Sequence, residues 1–97
     1  MKKHKFYSMV RENGAAVARQ HDGYTDGTYN YYKKDSAWFA IHPLNGLSIC
    51  QTSTRKEAAE AAHAPEMAER IAAAVERQPE AAKRFTVAMA AAKEAAA

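Results

Sequence analysis

Cysteine occurs once in this sequence, at Cys50, and histidine four times, at His4, His21, His42 and His63, each isolated from the others. A single cysteine excludes an internal disulfide framework and a zinc site built from several cysteines. The histidines offer no H-x-x-x-H spacing, so no metal centre is expected. Asp22-Gly23-Tyr24-Thr25-Asp26-Gly27 starts like a calcium loop, but Tyr24 holds the third position and Lys33 stands where the closing glutamate belongs. No run of about 18 apolar residues is present, which excludes a transmembrane helix. Met1-Lys2-Lys3-His4-Lys5 is charged like the start of a signal peptide, yet Ser8 and Arg11-Glu12-Asn13 interrupt the apolar residues after it. A soluble, cytoplasmic, reducing environment is the expectation, and a free cysteine fits it. No nucleophile elbow, Walker loop or dinucleotide fingerprint appears, and Cys50 has no base beside it, so no catalytic residue, enzyme activity or cofactor is expected.

What is present is enough for one domain. The chain has 97 residues, 26% of them charged and 47% apolar, with a net charge of +3. That composition is ordinary for a globular domain with one modest core, and its charge is far below that of a dedicated nucleic-acid binder. Eight of the nine aromatic residues lie at or before Phe39, whereas 18 of the 23 alanines lie after Thr54. Aromatic and β-branched residues favour strands and alanine favours helices. The expectation is an α+β fold: a strand-rich basic half over 1–52, with an antiparallel sheet of three to five strands, then an alanine-rich half over 53–97. Two or three short helices there should pack on one face of the sheet.

Local signals set the elements. Tyr29 and Tyr31 alternate with Asn30 and Tyr32, Lys33-Lys34-Asp35-Ser36 breaks the strand, and Ala37 to His42 alternates again. Pro43-Leu44-Asn45-Gly46 is a strong turn before Leu47 to Cys50. Phe39, Ile41, Leu47 and Ile49 are the expected core face. Upstream, Lys5 to Val10 and Ala15 to Arg19 flank the hairpin signal Asn13-Gly14, and His21 to Gly27 reads as a loop. Downstream, Thr54-Arg55-Lys56-Glu57 matches a capping box, and Pro65 and Pro79 suit helix first turns. Helices are expected near 54–63, 65–77 and 79–94. Met67, Ile71 and Val75 form one stripe, and Ala82, Phe85, Met89 and Ala92 another, to cover the apolar face of the sheet.

Aromatic residues and lysines interleave between Tyr29 and His42. Such residues stack on bases and neutralise phosphates, and they equally make protein-binding hot spots; cross-strand pairing inside the sheet is the plainer alternative. The expected contact group is Tyr32, Lys33, Lys34, Trp38 and His42, with Tyr32 on the face that does not serve the core.

Tyr31 to Glu60, YYKKDSAWFAIHPLNGLSICQTSTRKEAAE, resembles small proteins of bacterial phages and mobile elements. These share a lysine-ended strand, a tryptophan strand, a Pro/Asn-Gly turn followed by Gly-Leu, and a Thr-Arg-Lys-Glu-Ala helix start. Some such proteins block host defence nucleases, CRISPR effectors among them, by binding them. Ser53 to Ala58 also resembles the last-helix entry of double-stranded-RNA-binding domains, whose first helix has no counterpart here. The resemblance implies a non-enzymatic inhibitor whose partner is a protein or ribonucleoprotein complex of a bacterial host. A small nucleic-acid-binding accessory protein is the alternative reading. No membrane partner is expected, and alanine-rich helix faces leave a homodimer open.

Overall fold

Five consecutive strands pair as an antiparallel meander, and three helices follow in a computed structural model that describes residues 1–96. The strands are β1 (Lys2–Glu12), β2 (Ala15–Thr25), β3 (Asn30–Lys34), β4 (Ala37–Ile41) and β5 (Ser48–Thr52), in that spatial order. The helices are α1 (Arg55–Ala62), α2 (Pro65–Arg77) and α3 (Glu80–Ala96). This is the α+β order expected from the composition. No helix of the described residues is long and apolar enough to cross a membrane.

Turn chemistry fixes the register. Asn13 and Gly14 take positive φ, 51° and 80°, and reverse the chain tightly enough to pair Glu12 with Ala15. Arg19 then locks the hairpin with a two-pronged bond to Glu12, at 2.7 and 2.6 Å. Asp35 and Ser36 also take positive φ and connect β3 to β4. The segment His21 to Gly27 departs from its expected loop. His21 to Thr25 continues β2, and the turn begins only at Asp26. Glycine stands inside the strand at 23 because a Cβ there would run into the Tyr31 carbonyl and the Phe6 ring.

The long β1–β2 hairpin curls over the rest of the sheet. Phe6 of β1 packs with Tyr32, Ile41 and Phe39, and the Met9 amide donates to the Gly46 carbonyl at 2.8 Å. His21 stacks on Tyr32 with ring centroids 3.9 Å apart, and its Nε2 bonds the fully buried Ser8 hydroxyl at 2.6 Å. The Phe39/Ile41 face is therefore covered by the sheet's own hairpin, not by helices as expected.

The opposite face takes the helices. Tyr31 and Ala40 are fully buried beneath Ala58 and Ala62 of α1. Alanine on both elements lets the helix sit close over the tyrosine ring. Thr54 caps α1, accepting the Glu57 amide at 3.1 Å, and its hydroxyl contacts the Glu57 carboxylate at 3.0 Å. Further along the sheet, α3 lies over β2 and β1, with Lys93 Nζ 5.6 Å from the Tyr7 ring. Tyr7 pairs with Gln20, which shares the face of Tyr24 by alternation, so both helices use one face. Phe85 of α3 is buried against Gly46.

Two expectations about the core fail. A register shift between Ala40 and Ile41 leaves Ile49 as the extra residue, and it packs with the α1 cluster, away from Ile41. Leu47 precedes β5 and remains 39% exposed. The stripe of α2 also departs from its expected role: α2 buries no residue, and Val75 stays exposed.

Candidate partner-binding surface

The tight turn at Asp35–Ser36 puts Lys33 opposite Trp38 and Lys34 opposite Ala37. Both lysines are exposed, and neither makes an ion pair among the described residues. Strand alternation sends Lys33 to the side of Trp38 and Lys34 to the other side, where its charge helps lower the His21 pKa; burial is the larger cause.

Trp38 is half-buried at the edge of the α1 cluster. Tyr24 leans against it with centroids 6.1 Å apart. Arg55, the first residue of α1, lays its guanidinium 4.0 Å from the Tyr24 centroid and 5.9 Å from the Trp38 ring. A cation over a ring face gains roughly 0.5–1 kcal/mol at an exposed site. The contact gathers three large side chains into one cluster on the face that also carries Lys33. The Thr54 cap places Arg55 there, because it sets where α1 begins relative to β4.

This surface is smaller at one end and larger at the other than the sequence indicated. Tyr32 does not belong to it. Tyr32 pairs with Phe39, stacks on it at 5.4 Å, and is buried against Phe6 and His21 on the opposite face. Side chains of adjacent strand residues point to opposite faces, and Tyr32 follows Tyr31. His42 is also separate. It lies four residues along the chain from Trp38, about 13 Å by strand rise, with α1 packed over Ala40 between them. Tyr24 and Arg55 escaped the sequence reading. Tyr24 was hidden because Gly23 and Gly27 made its segment look like a loop. Arg55 was visible only as part of a helix-start motif.

A second polar cluster lies at the far end. The Asp26 carboxylate accepts bonds from the Tyr31 hydroxyl (2.6 Å) and from the Tyr29 and Thr28 amides (2.8 and 2.9 Å). It also bonds His63 Nε2 at 2.7 Å, just past the end of α1. These bonds outweigh an opposing burial effect and hold its pKa well below the usual carboxylate range. Burial, then Asp26, pushes the Tyr31 hydroxyl well above its ordinary value. Tyr29 packs against His63 at 5.0 Å and, edge-on, against His42 at 6.1 Å. The partners of the His63 imidazole are Asp26 and Tyr29, so the pair ties α1 to the β2–β3 turn. The Cys50 thiol donates to the Ala58 carbonyl at 3.6 Å, and burial raises its pKa, the opposite of an activated nucleophile. Among the described residues, no group of three or more histidine, cysteine or acidic side chains is placed to hold a metal ion.

Compared with protein-family models, curated proteins and solved structures, the chain matches none.

Proposed function

We propose that this chain is a non-enzymatic binding protein that inhibits a host defence nuclease complex in the bacterial cytoplasm, encoded by a phage or mobile element. The tip of the β3–β4 hairpin is its contact surface. The observation that supports a binding role is the Tyr24–Trp38–Arg55 cluster beside Lys33, which makes no ion pair among the described residues. Aromatic and arginine side chains dominate interface energetics, and side chains already packed against one another lose less freedom on association. Lys33 and Lys34 add electrostatic steering toward an acidic partner. The inhibitory role rests on the resemblance of Tyr31 to Glu60 to small phage and mobile-element proteins.

The test is affinity capture from a bacterial lysate with the wild-type chain and with the Lys33→Ala/Lys34→Ala/Trp38→Ala variant. The proposal expects one nuclease complex to be recovered by the wild type and lost by the folded variant. Trp38→Ala alone should weaken binding by about 2 kcal/mol or more. Equal capture by both chains moves the surface elsewhere.

A nucleic-acid-binding role is the second reading, favoured by two cationic side chains, Lys33 and Arg55, on the face of two aromatic rings, with Lys34 beside them at the hairpin tip. Salt separates the two. Phosphate contacts make log K fall steeply with log salt, whereas a Trp38-anchored protein contact changes mainly in its on-rate.

A further inference from the structure

At the opposite end of β4 an open cleft of about 470 Å³ separates α2 from the β4–β5 turn and β5. Leu47 and Ile49 lie on the sheet side, and Met67 and Ile71 on the helix side. Arg70 and Arg77 line it too. They are seven residues apart, hence on one side of α2 and about 10.5 Å apart along its axis. Arg70 has no ion pair among the described residues, and Arg77 Nε bonds only the Ala73 carbonyl of its own helix, at 3.4 Å. Glu69 is the one acidic side chain in the lining. His42 accepts the Leu44 amide at Nδ1, and burial lowers its pKa, so it adds a polar edge without a charge.

We propose that this cleft receives an amphipathic, acid-flanked helix of a partner protein. Two features of the lining select that occupant. The apolar side chains of Leu47, Ile49, Met67 and Ile71 match one stripe of a helix, as in helix-in-groove recognition. The paired arginines match two carboxylates seven residues apart beside that stripe. From Met67 to Arg77 the wall is about 15 Å long, nearly three turns of an incoming helix. Nucleic acid leaves the apolar floor unused. A second copy of the chain fits less well. On its own α2, Arg70 and Arg77 flank the stripe more closely, at about 100–120° around the helix from Ile71, than Glu69 and Glu76 do at about 140–160°, so a second α2 would bring like charges together in the cleft. The state of α2 agrees: a 13-residue helix with no fully buried residue would gain stability from a partner that packs on its half-buried Met67 and Ile71.

The experiment uses the isotope-labelled full chain and two synthetic helical peptides. Both carry a leucine stripe at i, i+3, i+4 and i+7. One has glutamates seven apart beside the stripe, and the other has lysines there. The glutamate peptide is expected to shift the amides of Leu47, Ile49, Met67 and Ile71 and to bind about tenfold tighter than the lysine peptide, the size two rim ion pairs support. Arg70→Glu/Arg77→Glu should invert that preference with the core unchanged, because both side chains are exposed. The Lys33/Lys34/Trp38 alanine variant should bind the peptide as wild type does, which separates this cleft from the hairpin tip. No peptide binding, equal affinity for the two peptides, shifts centred on the hairpin tip, or self-association of the chain through α2 would each overturn the proposal.

Discussion

Replacing Asp26 tests the account of how α1 is held to the sheet. Its carboxylate is the shared acceptor for one buried hydroxyl, one imidazole and two backbone amides. Asp26→Ala removes all four bonds, and the most serious consequence falls on Tyr31. Tyr31 is fully buried, and its hydroxyl loses its acceptor. Stranding a buried hydroxyl costs about 1–3 kcal/mol, and bonds to a charged group contribute roughly 1.5–3 kcal/mol each before solvent screening. The Asp26 side chain is 19% exposed and that of His63 is 47% exposed, so the histidine contact deserves the lower end. A loss of roughly 3 kcal/mol is expected, a large share of the stability of so small a domain. Asp26→Asn should cost less, because an amide oxygen still accepts the Tyr29 and Thr28 amides. Urea unfolding at pH 7 measures both. The pH dependence follows from the direction of the shift. The folded-state pKa of Asp26 is depressed, so its contribution is present above the unfolded value near 3.9 and is lost as pH falls toward the folded value. Wild type should therefore lose stability below about pH 4, and the difference from Asp26→Asn should shrink there. A loss under about 0.5 kcal/mol for Asp26→Ala, with unfolding still two-state, would mean that Asp26 does not hold α1 to the sheet.

Ile41→Ala should cost about 2–5 kcal/mol, whereas Leu47→Ala should cost far less, since Ile41 is buried and Leu47 exposed; equal losses in urea melts would contradict the assigned burial. Gly46→Ala puts a Cβ within 2.8 Å of the Phe85 ring at a φ of 67°, and Gly14→Ala at φ 80° meets open space. Gly46→Ala should lower the melting temperature clearly more than Gly14→Ala, and the reverse order would displace α3 from that turn. Thr54→Ala should cost about 1 kcal/mol through loss of the cap, read as a shift in the urea midpoint, with no change expected only if the cap contributes nothing. His21 has a folded-state pKa lowered by burial and by Lys34, so wild type should lose stability as pH falls below about 6.5. His21→Phe, which keeps the stack on Tyr32, should remove that part of the pH profile in chemical melts; an unchanged profile would place the titration elsewhere.

The order of elements is legible in local residue chemistry. The aromatic-then-alanine composition, the positive-φ turn at Asn13-Gly14, the Thr54 cap and the two prolines are local signals, and local physics reads them without the rest of the chain. Helix limits expected at 54–63, 65–77 and 79–94 lie within a few residues of those found. Tertiary structure alone decided which face is covered by what. Both sheet faces carry aromatic residues, so alternation separates Tyr31 from Tyr32 without saying that α1 takes Tyr31 while a curled hairpin takes Tyr32. The register shift at Ala40/Ile41 moves Ile49 to the other cluster, and no periodic pattern announces a one-residue slip. The contact group divided for the same reason. Trp38 and His42 share a face by period two, but a helix packed on the alanine between them comes from twenty residues downstream. Tyr24 meets Arg55 only once β2 has passed through Gly23, where the Tyr31 carbonyl and the Phe6 ring leave no room for a Cβ, so the glycine that locally suggests a loop is there for a tertiary contact.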